Sequence, residues 1–135
     1  MKRVIISGLI AGVILFIISY GGLYLSIRFF PQIFVEYNNP LFNSDGSRDI
    51  FFYTHAFIIS LALSWFWERF KGLFRGPSVV RGLEFGSVYA IVALLPVMWL
   101  TFSSLDITFL MVGSWFVYGL FQSIIAGIIF AKINP

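Results

Sequence analysis

The stretch that decides the fold is residues 107–131, ITFLMVGSWFVYGLFQSIIAGIIFA, which continues for 25 residues without Asp, Glu, Lys or Arg. A bilayer core of about 30 Å is crossed by about 20 residues in an α-helix. An α-helix also satisfies its own backbone hydrogen bonds, which lipid cannot do for it. The stretch therefore predicts one membrane-spanning helix.

Three other stretches of the chain have the same character. Residues 4–27, 50–67 and 85–105 lack Asp, Glu, Lys and Arg and contain 24, 18 and 21 residues. We therefore predict an all-α membrane protein, a four-transmembrane-helix bundle that forms one domain over residues 1–135 in an up-down-up-down order. The helices are expected at residues 4–28, 50–70, 79–102 and 106–131.

The composition excludes several classes of protein. Hydrophobic residues make up 59% of the chain and charged residues 11%, against about 45–50% and 25% in an average globular protein. A soluble domain this small would leave exposed roughly a third of the surface of its unfolded chain, which is too much for so apolar a composition. The composition therefore excludes a soluble enzyme, a nucleic-acid-binding protein and a secreted domain. The absence of cysteine excludes disulfides, thiol redox chemistry and iron–sulfur clusters. No cofactor or metal is expected.

The basic residues predict the orientation. Seven of the nine Lys and Arg residues fall at helix ends expected on one side, namely Lys2, Arg3, Arg69, Lys71, Arg75, Arg81 and Lys132. Arg28 and Arg48 fall on the other side. The positive-inside rule then places both termini in the cytoplasm. We expect a multi-pass protein of the cell membrane (the inner membrane, if the source is bacterial). The stretch at residues 4–27 is longer than the apolar part of a signal peptide, so we expect it to remain as a membrane anchor.

Six glycines fall at helical spacing within the predicted spans: Gly8, Gly12, Gly82, Gly86, Gly119 and Gly127. Small residues let membrane helices approach closely, because lipid provides no hydrophobic force between them. We interpret these glycines as packing positions inside the bundle. The alternative is a homodimer seam on its outer surface.

The few polar residues of the spans form the candidate site. They are Ser60, Ser64, Glu84, Tyr89, Ser114, Tyr118 and Gln122. Gln122 precedes Lys132 by ten residues, or about 15 Å along a helix, which is close to mid-membrane. An amide at that depth needs a partner inside the bundle, and Tyr89 is a candidate. The group is interpreted as an interhelical hydrogen-bond clamp, with a solute path or lipid-headgroup pocket as the alternative.

Glu84 has two interpretations of its own. A carboxylate near the start of a helix is stabilised by the helix dipole, which favours a structural role. An ionisable residue at the mouth of a membrane bundle can also be a proton or cation site. The sequence leaves both open.

Three segments carry a resemblance to a known type of protein. They are Lys2-Arg3 with Gly8 and Gly12, residues 81–86 (RGLEFG) leading to Tyr89 and Pro96, and residues 115–127 around Gln122. In these segments the chain resembles small bacterial four-helix integral membrane proteins of unknown function. The resemblance implies the fold and carries over no catalytic residue.

Two functions follow as hypotheses. The sequence contains no Ser/His/Asp grouping, no metal-ligand spacing and no phosphate-binding glycine loop, so no enzymatic activity is expected. The first hypothesis is a non-catalytic accessory subunit or scaffold of a membrane complex. The second is a small oligomeric carrier or channel for a solute, ion or lipid. The expected partners are the lipid bilayer and either another membrane protein or further copies of the chain, and not nucleic acid.

Overall fold

A computed structural model of the chain describes residues 1–43 and 45–135, and within these ranges the ordered elements are all helical. The helices are α1 (Lys2–Phe29), a 3-10 helix (Pro31–Asn38), α2 (Asp49–Phe70), α3 (Ser78–Tyr89), a π-helical turn (Ala90–Leu94), α4 (Leu95–Ser104) and α5 (Phe109–Ile133).

Four segments are long and apolar enough to cross a membrane, judged by length and composition. They are Lys2–Phe29, Asp49–Phe70, Ser78–Ser104 and Phe109–Ile133, with mean hydropathies from 1.5 to 2.4. The third segment consists of α3, the π-helical turn and α4 in succession. The prediction of four apolar helices is therefore confirmed for the described part of the chain.

The last helix begins later than predicted. The sequence predicts a start at residue 106, with Ser104 or Asp106 as the cap. Instead α4 continues to Ser104, and α5 begins at Phe109. The cap is Thr108, whose side-chain oxygen accepts a hydrogen bond from the backbone N–H of Met111 at 3.3 Å. This bond satisfies one of the four N–H groups that a helix start leaves free.

Pro96 shapes the third span. Proline has no N–H and its ring crowds the preceding turn, so the sequence predicts a kink there. The structure accommodates Pro96 in the first turn of α4, directly after the π-helical turn Ala90–Leu94. A π-helical turn is wider than an α-helical one, and such turns are one of the identifiable causes of bends in long helices.

The helices pack as two pairs, and contacts made by α5 hold the pairs together. α1 packs mainly on α2 and α3 on α5, while α5 also contacts α1 and α2. The starts of α1 and α3 lie beside the ends of α2 and α5. We call this end of the bundle the basic end, because it carries Lys2, Arg3, Arg69, Lys71, Arg75, Arg81 and Lys132.

An aromatic core fills the basic end. Trp67 stacks on Phe74 at 5.6 Å and meets Phe85 edge-on at 5.3 Å, and Phe130 closes the group. The sequence suggests Trp67 as part of an interfacial aromatic belt, and that interpretation is wrong, because its exposed fraction is 0%. Trp65, two residues earlier, faces outward as expected, with 52% exposed.

Candidate functional site

The predicted glycines lie where helices approach most closely. A Cβ atom at Gly82 would lie 2.6 Å from the backbone nitrogen of Ile128, and one at Gly86 would lie 2.8 Å from that of Ile124. Both distances are below contact distance, so α3 and α5 touch backbone to backbone. Gly127 lies on the α5 side of this contact, where an added Cβ atom would lie 3.0 Å from the Cα of Gly82.

The remaining three glycines also face neighbouring helices of the same chain. Gly8 and Gly12 lie against α2, where an added Cβ would come within 2.8 Å of Leu61 and of Ser60. Gly119 faces the side chain of Leu94. All six glycines therefore serve packing within the chain. They are buried between helices and do not lie on the outer surface of the bundle.

Two of the candidate serines belong to the contact between α1 and α2. The Ser64 hydroxyl donates to the carbonyl of Val4 at 2.8 Å and lies 2.8 Å from the hydroxyl of Ser7. Ser60 donates to Phe57 within its own helix at 3.0 Å. Ser7 was not among the predicted residues. Its signal in the sequence was its place directly before Gly8, in the stretch of small residues where α1 meets α2.

Gln122 is the buried amide that the sequence predicts, with 2% of its surface exposed. Its Nε2 donates to the hydroxyl of Ser19 at 3.2 Å and to that of Tyr118 at 3.0 Å. The partners are therefore Ser19 and Tyr118. Tyr89 instead packs, half-buried, against the aromatic core. Ser19 was missed because one serine in a long apolar helix has no distinguishing pattern.

The Gln122 amide leaves one atom without a partner. Its Oε1 is buried, and none of the described residues donates a hydrogen bond to it. Rotating the amide by half a turn would place the oxygen beside Ser19 and Tyr118. Two N–H groups would then lack a partner instead of one oxygen, so that orientation is less favourable. In the observed orientation both hydroxyls accept from the amide, so each keeps its own hydrogen free to donate elsewhere.

A small pocket adjoins this group between α1, α2 and α5. Its volume is about 30 Å³, and its polar lining residues are Ser19, Tyr20, Tyr53, His55 and Tyr118. A buried water needs roughly 10–15 Å³ of such space. The pocket therefore has room for about two water molecules at that size.

A wider groove opens on the outer face of the same region. It lies between α1, the 3-10 helix and the first half of α5, with a volume of about 690 Å³. Its polar side chains are Ser26, Ser114 and Tyr118, and its other walls are apolar. Ser114 donates to the carbonyl of Met111 in its own helix at 2.6 Å, so it faces the groove without being part of the Gln122 group.

Glu84 lies apart from the other candidate residues. It is the seventh residue of α3 and is exposed. The helix dipole acts within the first turn, so it offers little stabilisation at this position. Among the described residues the ion pair within 4 Å joins Lys71 to Glu68 at 3.3 Å and leaves Glu84 out. The predicted site therefore divides into a Ser7–Ser64 contact, a Gln122 group and an isolated carboxylate.

The most connected polar group of the described chain is one that the sequence analysis missed. At the basic end, the fully buried Asn134 donates through Nδ2 to Glu68 at 2.6 Å and accepts from Lys71 at 2.9 Å. Its backbone carbonyl accepts from the indole of Trp67 at 2.9 Å. The Arg81 guanidinium lies over the Trp67 ring, 4.9 Å from its centre. We call these five residues the Asn134 cluster.

At the opposite end the first connecting segment docks onto the start of α5. The Glu36 carboxylate accepts hydrogen bonds from the backbone N–H of Thr108, at 3.0 Å, and from the Thr108 hydroxyl. The Trp115 indole donates to the Tyr37 hydroxyl at 2.6 Å. Burial raises the pKa of Tyr37, the Trp115 bond opposes that shift, and the Glu36 charge adds to it. This segment is thus held by side chains that lie more than 70 positions away in the sequence.

Chemically, these groups can hold helices together. The described residues contain no group of three His, Cys, Asp or Glu side chains placed to hold a metal ion. Comparison of the chain with models of known protein families, with curated proteins and with solved structures found no match.

Proposed function

We propose that the chain is a non-catalytic multi-pass membrane protein, an accessory subunit, assembly factor or scaffold of a membrane complex. The observation that carries the proposal is that the polar side chains between the helices form hydrogen bonds with neighbouring helices. The Gln122 amide bonds Ser19 and Tyr118, and Ser64 bonds α1, so these groups connect helices instead of lining one wide passage. The backbone contact at Gly82 and Gly86 fixes the arrangement further.

We place the protein in the cell membrane with both termini in the cytoplasm. The gathering of seven of nine Lys and Arg residues at the basic end supports this orientation. The bacterial inner membrane, and kinship with the small four-helix proteins that the sequence resembles, stay predictions. Accessibility of a cysteine introduced at Pro135 or at Asn43 to an impermeant maleimide tests the orientation, since only Asn43 should react from outside intact cells.

The experiment that tests the function is a pair of measurements on the full-length chain. We expect a tagged chain, extracted from native membranes in mild detergent, to copurify with one partner protein in fixed stoichiometry. We expect the purified chain in liposomes to carry no solute. Gln122→Leu should leave both results unchanged, because the amide acts inside the bundle. Solute flux by the wild type, lost in Gln122→Leu, would contradict the proposal.

A small carrier or channel is the second candidate. The small pocket that Ser19, Tyr53, His55 and Tyr118 help to line, together with the unpaired Oε1 of Gln122, supports this function. In that case Gln122→Leu or Glu84→Gln should abolish flux while the protein remains folded. Flux that is equal in the wild type and both variants would exclude a path through these residues.

A further inference from the structure

We propose that one face of α3 docks a membrane-spanning helix of another protein, and that this helix carries a basic side chain opposite Glu84. The face consists of Val80, Leu83, Glu84, Ser87 and Val88 of α3 and Ile91 of the π-helical turn that follows, which are all exposed and share one side of the span. We call it the Glu84 face. The inference rests on the proposed function, for which it names the docking surface and the kind of partner.

The depth of Glu84 is the first step. Gly82 and Gly86 pack on Ile128 and Ile124, so Glu84 lies level with the residues between those two on α5. That level is about six residues, or roughly 9 Å, inside Lys132. If the basic residues mark the headgroup layer, the Glu84 carboxylate faces the border of the hydrocarbon region. Ionisable residues at such depth face the bundle interior or pair with another group.

Two basic residues near Glu84 make their contacts elsewhere. Arg81 lies one turn before Glu84, but its guanidinium covers Trp67 and donates to the carbonyl of Lys71 at 3.4 Å. Lys71 is bound to Glu68 and to Asn134. Within the described part of the chain no cation lies within 4 Å of the Glu84 carboxylate, so this outward-facing group is complementary to a cation that another molecule provides. The apolar residues around it match the surface of a membrane helix.

Repulsion between like charges argues against a symmetric copy of the chain as the occupant. A two-fold dimer through this face brings the same surface of both copies together. The two Glu84 carboxylates would then meet across the interface, where like charges repel. A helix of different sequence, with Lys or Arg at the matching depth, avoids that repulsion.

The test uses the full-length chain in phosphatidylcholine vesicles and two synthetic probes. Both are Leu/Ala membrane-spanning peptides; one carries a single Lys about 9 Å inside its interfacial tryptophan, and the other carries Leu at that position. Energy transfer between labelled chain and labelled peptide measures the apparent Kd. We expect the wild type to bind the Lys peptide about tenfold more tightly than the Leu peptide, as expected for one interhelical polar pair.

The variants decide whether the carboxylate is responsible. Glu84→Gln and Glu84→Leu should bind both peptides equally, whereas Asp49→Asn, which removes an exposed carboxylate at the far end of α2, should keep the tenfold preference. Tryptophan fluorescence of the Trp67 core verifies that each variant is folded. Equal binding of both peptides by the wild type, or a preference that survives Glu84→Gln, would overturn the proposal.

Other occupants of the face give different results. Energy transfer between wild-type copies that Glu84→Gln abolishes would assign the face to a second copy. In vesicles that also contain phosphatidylethanolamine, enrichment of this lipid around the wild type without a peptide preference would assign the face to a lipid amine, and either result overturns the proposal. Solute flux in the same vesicles would instead contradict the proposed function, so the two failures are distinguishable.

Discussion

Replacing Gly82 by alanine tests whether the contact between α3 and α5 fixes the fold. The added Cβ would lie 2.4 Å from Cγ1 of Ile128 and 2.6 Å from its backbone nitrogen. A side chain can rotate away from such a contact, but a helix backbone cannot. Since ordinary contact begins near 3.4 Å, the two helices must separate locally by about 0.8 Å.

The energy of that separation can be bounded. Overpacking in a close-packed interior costs about 1–3 kcal/mol, and alanine recovers at most about 1 kcal/mol through its higher helix propensity. Relative to a Gly→Ala variant at an open site, which has the same gain in helix propensity, we therefore expect Gly82→Ala to lower the free energy of unfolding by about 1–3 kcal/mol. Gly86→Ala acts on the same seam, so one displacement relieves both contacts. The double variant should therefore lose less than the sum of the single losses.

The assay is reversible unfolding of the purified protein in mixed micelles, with tryptophan fluorescence as the signal. Gly113→Ala on α5 and Gly21→Ala on α1 are the matched controls, because an added Cβ at either site has no neighbour within 4 Å. Both controls should be as stable as the wild type or more stable by up to about 1 kcal/mol, because they keep the propensity gain without a steric cost. If Gly82→Ala is as stable as the controls, the backbone contact is not what holds α3 on α5.

Three further predictions concern the polar groups. Asn134→Ala should destabilise the protein by about 1–2 kcal/mol in the same unfolding assay, a value reduced by the exposure of the charged partners. Gln122→Leu should lower the free energy of unfolding by less than about 1 kcal/mol in that assay, since interhelical hydrogen bonds in membranes average about 0.6 kcal/mol and the change also removes an unpaired oxygen. A loss above about 3 kcal/mol would contradict the interpretation of the amide as an ordinary interhelical hydrogen-bond group. The pKa of Tyr37 is raised, so the stability that its docking contributes is complete below the ordinary pKa near 10 and is lost as the pH rises through the folded value. Phenolate absorbance should therefore show Tyr37 ionising above the ordinary tyrosine pKa near 10, and Trp115→Phe should shift its pKa higher still, because the Trp115 hydrogen bond lowers it.

The features predicted from the sequence are those that one segment carries by itself. The absence of charge over residues 107–131 marks a membrane-length helix whatever surrounds it. The spacing of Gly82 and Gly86 marks a close approach in the same way. The depth of Gln122 along its helix was enough to predict that its amide is buried and bonded inside the bundle.

The features that the sequence did not predict depend on residues far apart in the chain. Asn134 meets Glu68 across 66 positions, and Thr108 meets Glu36 across 72. Each of these residues alone is an ordinary polar residue near a helix end. Only the packing of α5 against α2 turns Asn134 into a fully buried residue. The partner of Gln122 was uncertain for the same reason, since Ser19 and Tyr89 lie on different neighbouring helices.

Native mass spectrometry of the tagged chain, released directly from its own membranes, tests whether this bundle serves as a subunit of a larger membrane assembly. We expect a complex of fixed stoichiometry that contains this chain and at least one different protein. Release of the chain only as a monomer or a homo-oligomer, together with solute flux in liposomes, would contradict it.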